Sequence, residues 1–200
     1  MYRNIKIGLL IKEGGLKEYI LSALVDAHYL IIEKKWDDNF VDSDLETFDT
    51  LVLDISQFKE KDFHLLKKIK NLFPDLKILI LSGSNADESI YKAICFGANG
   101  YICKSEIRNL EKIIEMILNR ESCISSNIAL EIYQYFLSIY RKNLSDILSI
   151  SEIAVLENSI SGISIANVAS KLNLPVYSIQ KIIYSIYLKL QTIKHFDLTE

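Results

Sequence analysis

The sequence predicts an α/β fold in which a parallel sheet, covered by helices on both faces, is followed by a smaller all-helical unit. Short apolar runs bounded by polar residues alternate with helical stripes as far as Asn119. Beyond Asn119 the strand signals stop, and from Leu148 to Leu190 the apolar residues recur with helical spacing. Because strands that alternate with helices of this length pair in parallel, the first part of the chain is expected to form a doubly wound sheet.

Five apolar runs are short enough to be buried strands. They are Ile5 to Ile11, Tyr29 to Ile32, Leu51 to Leu53, Leu76 to Leu81 and Asn99 to Cys103. Helical stripes separate or follow these runs, and they are marked by Leu16, Ile20 and Leu24, by Phe63, Leu66, Ile69 and Leu72, by Ile90, Ala93 and Ile94, and by the run from Ile107 to Leu118. The acidic region from Asp37 to Glu46 has a poor pattern and is expected to form a loop and a weak helix.

Three consecutive predicted strands are followed or ended by polar side chains, namely Asp54, Ser82 and Lys104. Parallel strands bring their carboxyl ends to one edge of the sheet, and ligands of open α/β sheets bind at that edge. An acid, a hydroxyl and an amine are therefore expected to meet there. Taken alone, Asp54 could equally cap the turn that follows it.

Residues 1–122 resemble the receiver domain of bacterial response regulators. The matching residues are Phe48-Asp49 with Asp54, Pro74-Asp75, Ser82-Gly83 and the run Gly-Ala-Asn-Gly-Tyr-Ile-Cys-Lys from Gly97 to Lys104. The resemblance implies a flavodoxin-like, five-stranded sheet with Asp54 at the phosphoacceptor position. It also implies that Ser82 and Tyr101 occupy the switch positions, where a hydroxyl senses the phosphoryl group and an aromatic ring reorients. Both residues could equally be ordinary members of the core edge.

The resemblance also implies a magnesium site, and here the sequence departs from the family pattern. Mg²⁺ takes oxygen ligands, which receivers supply partly from two acidic residues at the end of the first strand. Those positions are Ile11 and Lys12 in this chain, and Glu13 comes next, where a bulge could bring its carboxylate in. Lys12 and Lys104 could together neutralise Asp54 instead. We therefore expect a salt-bridged Asp54 without phosphorylation, and no metal or other cofactor.

The stretch from Ile128 to Tyr140 is helical in pattern and too apolar on all sides to be a solvated linker. We expect it to pack on one of the domains or on a second copy of the chain. It lies in a predicted linker of residues 123–144, and the polar segment Arg141-Lys142-Asn143 marks the boundary to the next unit.

Residues 145–200 carry the pattern of a helix, a short turn and a further helix. Gly162 can end one helix, Ser164 can cap the next, and Asn173-Leu174-Pro175 makes a tight turn before a helix from Ser178 to Leu190. This segment resembles the LuxR-type helix-turn-helix domain. The matching residues are Glu152, Val155-Leu156, Gly162, Ser164, Ala169, Leu172, Leu174, Ser178-Ile179 and Lys189-Leu190. A receiver followed by this domain is the architecture of NarL/FixJ-type response regulators.

The resemblance implies that one face of the last helix reads double-stranded DNA. The base-reading positions correspond to Gln180, Lys181 and Tyr184, while Ile179, Ile183 and Ile186 are expected to stay in the core. Glutamine can pair with adenine and lysine with guanine in the major groove. Side chains expected to contact phosphates are Tyr177, Ser178 and Lys189.

The charge of the C-terminal unit does not favour nucleic acid. From Ser145 onward there are four lysines and five acidic residues, and four minus five gives −1, which is not the basic footprint of a DNA-binding domain. The polar face of the last helix could therefore be merely solvated.

Composition places the chain among cytoplasmic globular proteins. Half of the 200 residues are hydrophobic, yet no apolar run approaches the ~18 residues of a membrane span. The N-terminus leads directly into a strand and does not read as a signal peptide. Cys95, Cys103 and Cys123 lack metal-ligand spacing and are expected to be reduced.

Together these observations predict an atypical, two-domain response regulator that binds DNA as a homodimer and controls transcription. Its input would be oligomerisation, a ligand or a protein partner. One alternative is a conventional regulator, phosphorylated on Asp54 by a histidine kinase, in which Glu13 supplies the metal ligand. Another is a protein-interaction module without DNA binding. An enzyme is not expected, since no nucleophile-base pair or metal cluster is visible in the sequence.

Overall fold

The computed structural model describes residues 5–11, 14–24, 29–34, 43–56, 58–83, 88–140 and 144–197. Its strands are β1 (Ile5–Leu10), β2 (Tyr29–Glu33), β3 (Thr50–Asp54), β4 (Lys77–Ser82) and β5 (Gly100–Cys103). They form one parallel sheet in the order β2-β1-β3-β4-β5. The predicted doubly wound, five-stranded sheet is confirmed.

The helices of the described residues follow the predicted order. They are α1 (Gly14–Ala23), α2 (Glu60–Leu72), α3 (Glu88–Cys95), α4 (Leu110–Leu118), α5 (Ser126–Tyr140), α6 (Ile150–Ile160), α7 (Ile165–Leu172) and α8 (Val176–Asp197). Where the sequence predicts a weak second helix, residues 37–42 lie outside the described ranges and Ser43–Thr47 forms a 3₁₀ turn. None of the helices in the described part of the chain is long and apolar enough to cross a bilayer.

The period-2 alternation of side chains divides the core around the sheet into two layers. Leu51 and Leu53 of β3 pack in one layer with residues of α2 and α3. Val52 lies in the other layer with residues of α1 and α4. β1 passes close to β3, since a Cβ added to Gly8 would lie 2.5 Å from Cδ2 of Leu51. The sheet is therefore covered on both faces, as its continuous apolar strands require.

The layer over α2 and α3 continues without interruption into the C-terminal helices. Helix α5 contributes Ile128, Ala129, Ile132 and Phe136, each at most 2% exposed, to this shared core. The helix contacts α3 of the N-terminal α/β unit on one side and α6 on the other. This face of α5 is thus buried within one chain, which is one of the two outcomes that the sequence left open, while Leu130 on the same helix is 41% exposed.

Side-chain caps set the ends of the C-terminal helices. The Oγ of Ser149 accepts a hydrogen bond from Glu152 N (3.2 Å), and Glu152 Oε2 accepts one from Ser149 N (2.7 Å), which closes a capping box at the start of α6. Ser164 caps α7 as predicted, accepting a hydrogen bond from Asn167 N at 3.3 Å. α7 ends at Asn173, whose φ of 53° lies in the left-handed region. α8 then extends well beyond the predicted Leu190, to Asp197.

Truncation of Phe136 to alanine should strongly destabilise the whole chain. The ring is fully buried in the shared core, so its removal leaves a cavity and should lower the free energy of unfolding by ~3–5 kcal/mol. Chemical denaturation measures this change. Leu130→Ala on the same helix is the control, because Leu130 is 41% exposed and its truncation should cost far less. Equal losses in the two variants would contradict the burial described for α5.

Candidate functional site

The carboxyl edge of the sheet brings Asp54 and Lys104 into direct contact. Lys104 Nζ lies 2.8 Å from Asp54 Oδ2, and the Asp54 side chain is only 4% exposed. The second carboxylate oxygen, Oδ1, accepts a hydrogen bond from the backbone N–H of Ser56 at 3.0 Å. Both oxygens of Asp54 therefore have a protein partner. The bond from Ser56 N, two residues further on, is the turn cap that the sequence offered as the alternative role of Asp54.

Ser82 and Tyr101 lie close to this edge and are both buried, at 0% and 4% exposure. Ser82 ends β4 opposite Cys103 of β5, and Tyr101 lies opposite Ile80 two pairs earlier. Burial raises the pKa of the Tyr101 phenol well above its usual value, so the ring is neutral in the core. In this structure both residues belong to the packed core at the edge of the site.

Of the positions that the resemblance assigns to acidic metal ligands at the end of β1, only the first is described. Ile11 follows β1 with an aliphatic side chain, while Lys12 and Glu13 lie outside the described residues. No group of three His, Cys, Asp or Glu side chains that could hold a metal occurs among the described residues. The Asp54 carboxylate is already bound by an ammonium and an N–H group. The described part of this edge thus forms an ion pair between Asp54 and Lys104.

Helix α8, which carries the predicted DNA-reading residues, packs on the N-terminal α/β unit. Tyr184 is 6% exposed, and its hydroxyl accepts a hydrogen bond from Asn99 Nδ2 at 3.2 Å. Gln180 is half-buried, and its side-chain Nε2 lies 3.7 Å from Met116 Sδ. The backbone carbonyl of Gln180 accepts a hydrogen bond from Ser122 N at 3.0 Å. In this arrangement, two of the three predicted base-reading side chains face protein. Ile179, Ile183 and Ile186 lie in the core as predicted.

Two further polar contacts extend this interface along α8. Gln191 Nε2 donates to the Ala98 carbonyl at 2.9 Å. The Tyr187 hydroxyl donates to the Cys123 carbonyl at 2.6 Å, and the Tyr187 side chain is 1% exposed. The docked face of α8 therefore runs from Gln180 to Gln191, over about three helical turns.

Asn99 joins the sheet to α8. Its Oδ1 accepts a hydrogen bond from Ile78 N at 2.9 Å and lies 3.5 Å from Lys70 Nζ, while its Nδ2 donates to Tyr184. Its backbone carbonyl accepts from Ser122 Oγ at 3.0 Å. One buried amide thus connects β4, α2 and α8, and sequence reasoning did not predict this role of Asn99. The receiver-like motif from Gly97 onward contains it, but nothing in that motif indicates a partner on α8.

Lys70 contacts the Asn99 side chain and two backbone carbonyls nearby. Its Nζ donates to the carbonyls of Pro74 at 2.6 Å and Leu76 at 2.7 Å. The aliphatic part of the Lys70 side chain packs on Gly97, where an added Cβ would lie 2.7 Å from Lys70 Cγ. The φ of Gly97 is +119°, so both the close contact and the backbone conformation require glycine at this position. Burial, followed by the charge of Lys77, lowers the pKa of Lys70 to about 8.

Lys189, a predicted phosphate contact, is engaged inside the C-terminal unit. Its Nζ lies 2.6 Å from Glu152 Oε2 and donates to the Ile147 carbonyl at 2.8 Å. Glu152 is 4% exposed and also accepts from Ser185 Oγ at 2.9 Å. Burial acts to raise the pKa of Glu152, but the hydrogen bonds, led by that of Lys189, outweigh it and hold the pKa below its usual value. Lys189 thus ties α8 to the start of α6.

The remaining predicted DNA contacts lie near the start of α8. Tyr177 is 53% exposed, Lys181 is exposed and Ser178 is half-buried. Lys181 Nζ lies 5.3 Å from the centroid of the Tyr177 ring, which is a cation–π distance. These residues form the part of the predicted DNA surface that stays open in the docked arrangement.

Comparison with solved structures identifies the fold. RcsB from Salmonella typhimurium, a response regulator studied for its interaction with DNA, aligns with a TM-score of 0.52 at 20% identity over 94% of this chain and 92% of that chain. The response regulator ChrA of a heme-sensing two-component system aligns with a TM-score of 0.51 at 22% identity over 96% and 94%. A pilus assembly-related protein from Burkholderia pseudomallei covers 60% of this chain and 94% of its own, at 15% identity and a TM-score of 0.52. No protein-family model and no curated protein matches the chain.

The similarity to RcsB and ChrA spans nearly the whole chain, receiver and C-terminal helices together. RcsB is of the NarL/FixJ type, so the resemblance read from the sequence is confirmed at the level of the fold. At 20% and 22% sequence identity, the similarity to these two proteins is a similarity of fold.

Removal of the Tyr184 hydroxyl should loosen α8 without disturbing the sheet. Tyr184→Phe leaves the bond between Asn99 and Ile78 intact and removes one buried hydrogen bond, worth ~0.5–1.5 kcal/mol. We expect faster amide hydrogen exchange in α8 and unchanged exchange in β3. Tyr177→Phe is the matched control, since Tyr177 is exposed on the same helix. Unchanged α8 exchange in Tyr184→Phe would show that this contact does not hold the helix.

Proposed function

We propose that this protein is an atypical response regulator that binds double-stranded DNA and controls transcription. In this proposal residues 1–122 are the receiver, 123–144 the helical linker and 145–200 a LuxR-type helix-turn-helix domain. The observation that carries it is the whole-chain likeness to RcsB, which has been solved in complex with DNA and as dimers bound to DNA. We propose that this chain also acts as a homodimer.

The geometry of α7 and α8 supports a helix-turn-helix role. The two helices are separated by Asn173, Leu174 and Pro175 alone, and α8 buries Ile179, Ile183 and Ile186 on its inner side. A helix held in this way can present its opposite face to a major groove. Lys181 is available for a guanine or a phosphate because it is exposed.

In the docked arrangement this helix cannot enter a groove fully. Tyr184 would have to exchange its contact with Asn99 for a contact with DNA, and Gln180 would have to leave Met116. The receiver and DNA therefore compete for one face of α8. If only a fraction of molecules has α8 released, the apparent dissociation constant for DNA rises in inverse proportion to that fraction. Signals that loosen the interface would then act as activators of DNA binding.

The input is proposed to be independent of phosphorylation at Asp54. Lys104 neutralises the carboxylate, and the donors for a metal are missing from the described residues around it. Oligomerisation, a ligand or a partner protein would take the place of the phosphoryl group. The conventional alternative, phosphorylation by a histidine kinase with Glu13 as metal ligand, places its key residue outside the described ranges.

A second candidate function is a protein-interaction module. Its support is the exposed apolar surface where α7 meets α8, since Leu174 is 37%, Val176 42% and Tyr177 53% exposed. Exposed apolar patches commonly mark protein interfaces. The net charge of −1 from Ser145 onward is also unusual for a DNA-binding unit.

Acetyl phosphate with Mg²⁺ should leave Asp54 largely unmodified, because the carboxylate is held by Lys104 and lacks a described metal-binding neighbour. Intact-mass spectrometry reads the result directly, with Asp54→Ala as the blank. Stoichiometric addition of one phosphoryl group that disappears in Asp54→Ala would restore the conventional alternative.

Charge reversal of Lys181 should weaken DNA binding without unfolding the protein. Loss of a single base or phosphate contact costs ~1–3 kcal/mol, or roughly 5- to 150-fold in affinity. Low-salt binding to genomic fragments compares Lys181→Glu with Lys68→Glu, a matched reversal at an exposed lysine on α2. Because few cations are available, the salt dependence should be shallow.

A variant that releases α8 from the receiver should raise DNA affinity. Tyr184→Phe cannot serve as this variant, since Tyr184 is itself a predicted base contact. Asn99→Ala removes the receiver side of the same bond and should raise DNA affinity severalfold by releasing α8. Absence of binding by the wild type and by Asn99→Ala would favour the interaction module. Equal binding by Lys181→Glu and Lys68→Glu would exclude α8 as the reading helix.

A further inference from the structure

A cavity of about 270 Å³ opens beside β5, away from Asp54. It lies between that strand, the start of α4 and residues 123–125. Its apolar wall comes from Ile102, Ile113 and Ile124, and Tyr101 adds aromatic surface. At this size the cavity can hold one ring with a short arm, and it is too small for a peptide helix.

The polar side of the cavity is negative. Of the described residues that line it, Glu106 is the only charged one. Glu106 has no hydrogen-bond or ion-pair partner among the described residues. Burial raises the pKa of Cys123 to about 11, and the charge of Glu106 acts in the same direction, so the thiol in the wall stays neutral. An anion entering this cavity would therefore meet an uncompensated carboxylate.

We propose that this cavity binds a small organic cation, an ammonium group carried on an aromatic or aliphatic body. Glu106 pairs with the ammonium at the mouth, and Asn109 beside it can accept a hydrogen bond from the same group. The isoleucine wall and the Tyr101 ring bury the apolar body, and aromatic rings attract cations in addition. Neutral ligands of the same shape lose the ion pair, and anions are repelled.

A single residue, Cys123, connects the cavity to helix α8. Cys123 lines the cavity, and its carbonyl accepts the hydrogen bond from the Tyr187 hydroxyl at 2.6 Å. Its thiol donates to the Tyr101 carbonyl at 3.6 Å. A ligand that shifts Cys123 therefore acts on both β5 and α8, which makes the site a route by which a small molecule reaches the interface.

Benzylamine is the probe, titrated into the full chain and followed by amide chemical shifts. We expect saturable shifts at residues 101, 102 and 123–125 that spread to the amides around Tyr187. Benzyl alcohol and benzoate test charge at constant shape and should bind at least about tenfold more weakly, since a charge-assisted bond is lost. Glu106→Gln should weaken benzylamine to the same extent. Glu111→Gln, an exposed acid on α4 that does not line the cavity, should leave the affinity unchanged.

Three outcomes would overturn the proposal: shifts that do not saturate, equal binding of benzylamine and benzoate, or an unchanged affinity in Glu106→Gln. Glu106 is exposed, so its substitution is expected to leave the fold intact, and the wild-type-like spectrum of the variant checks this. No step of the measurement involves DNA. The cavity proposal and the DNA-binding proposal can therefore fail separately.

Discussion

The packing of α8 between two apolar surfaces is the constraint on which the rest of the structure depends. One side of the helix, with Ile183 fully buried, packs among the C-terminal helices, and a second side, with Tyr184 and Tyr187, packs on the receiver. The apolar core therefore runs without a break from the sheet into the last helix. Hydrophobic burial of this extent favours one body over two tethered ones, and polar contacts set its register. The most connected of those contacts is Asn99, which the sheet holds through Ile78.

The two candidate sites lie at opposite ends of the strands. Asp54 and Lys104 meet at the carboxyl edge, whereas Asn99 precedes β5 at the amino edge. β5 is the element that both ends share, and residues 121–125 run beside it with Ser122 bonded to the Asn99 carbonyl. Along the chain, β5 joins Asn99 at the amino edge directly to Lys104 at the carboxyl edge. The cavity beside Tyr101 opens onto the same segment.

Buried charge is handled in the same way at both ends of the protein. The side chains of Asp54 and Glu152 are 4% and 5% exposed, and each contacts a lysine that reaches it from a different element. A buried carboxylate without such a partner would be costly, and removal of one partner of a buried pair typically costs ~3–5 kcal/mol. Lys104 and Lys189 therefore have a structural role, which is to neutralise the buried carboxylates of Asp54 and Glu152. Their chemistry as free cations is limited in this arrangement.

Much of the fold followed from the sequence alone, because alternation and helical spacing are local properties of the chain. The five strands, the burial of α5, the cap at Ser164 and the edge carrying Asp54 are all of this kind. The environments of Tyr184 and Lys189 were decided only by tertiary structure. A tyrosine or a lysine on a helix fits solvent, DNA or protein equally well, and its partner lies far away in the sequence. Asn99 is 85 residues from Tyr184, so no periodicity in either segment could indicate that contact.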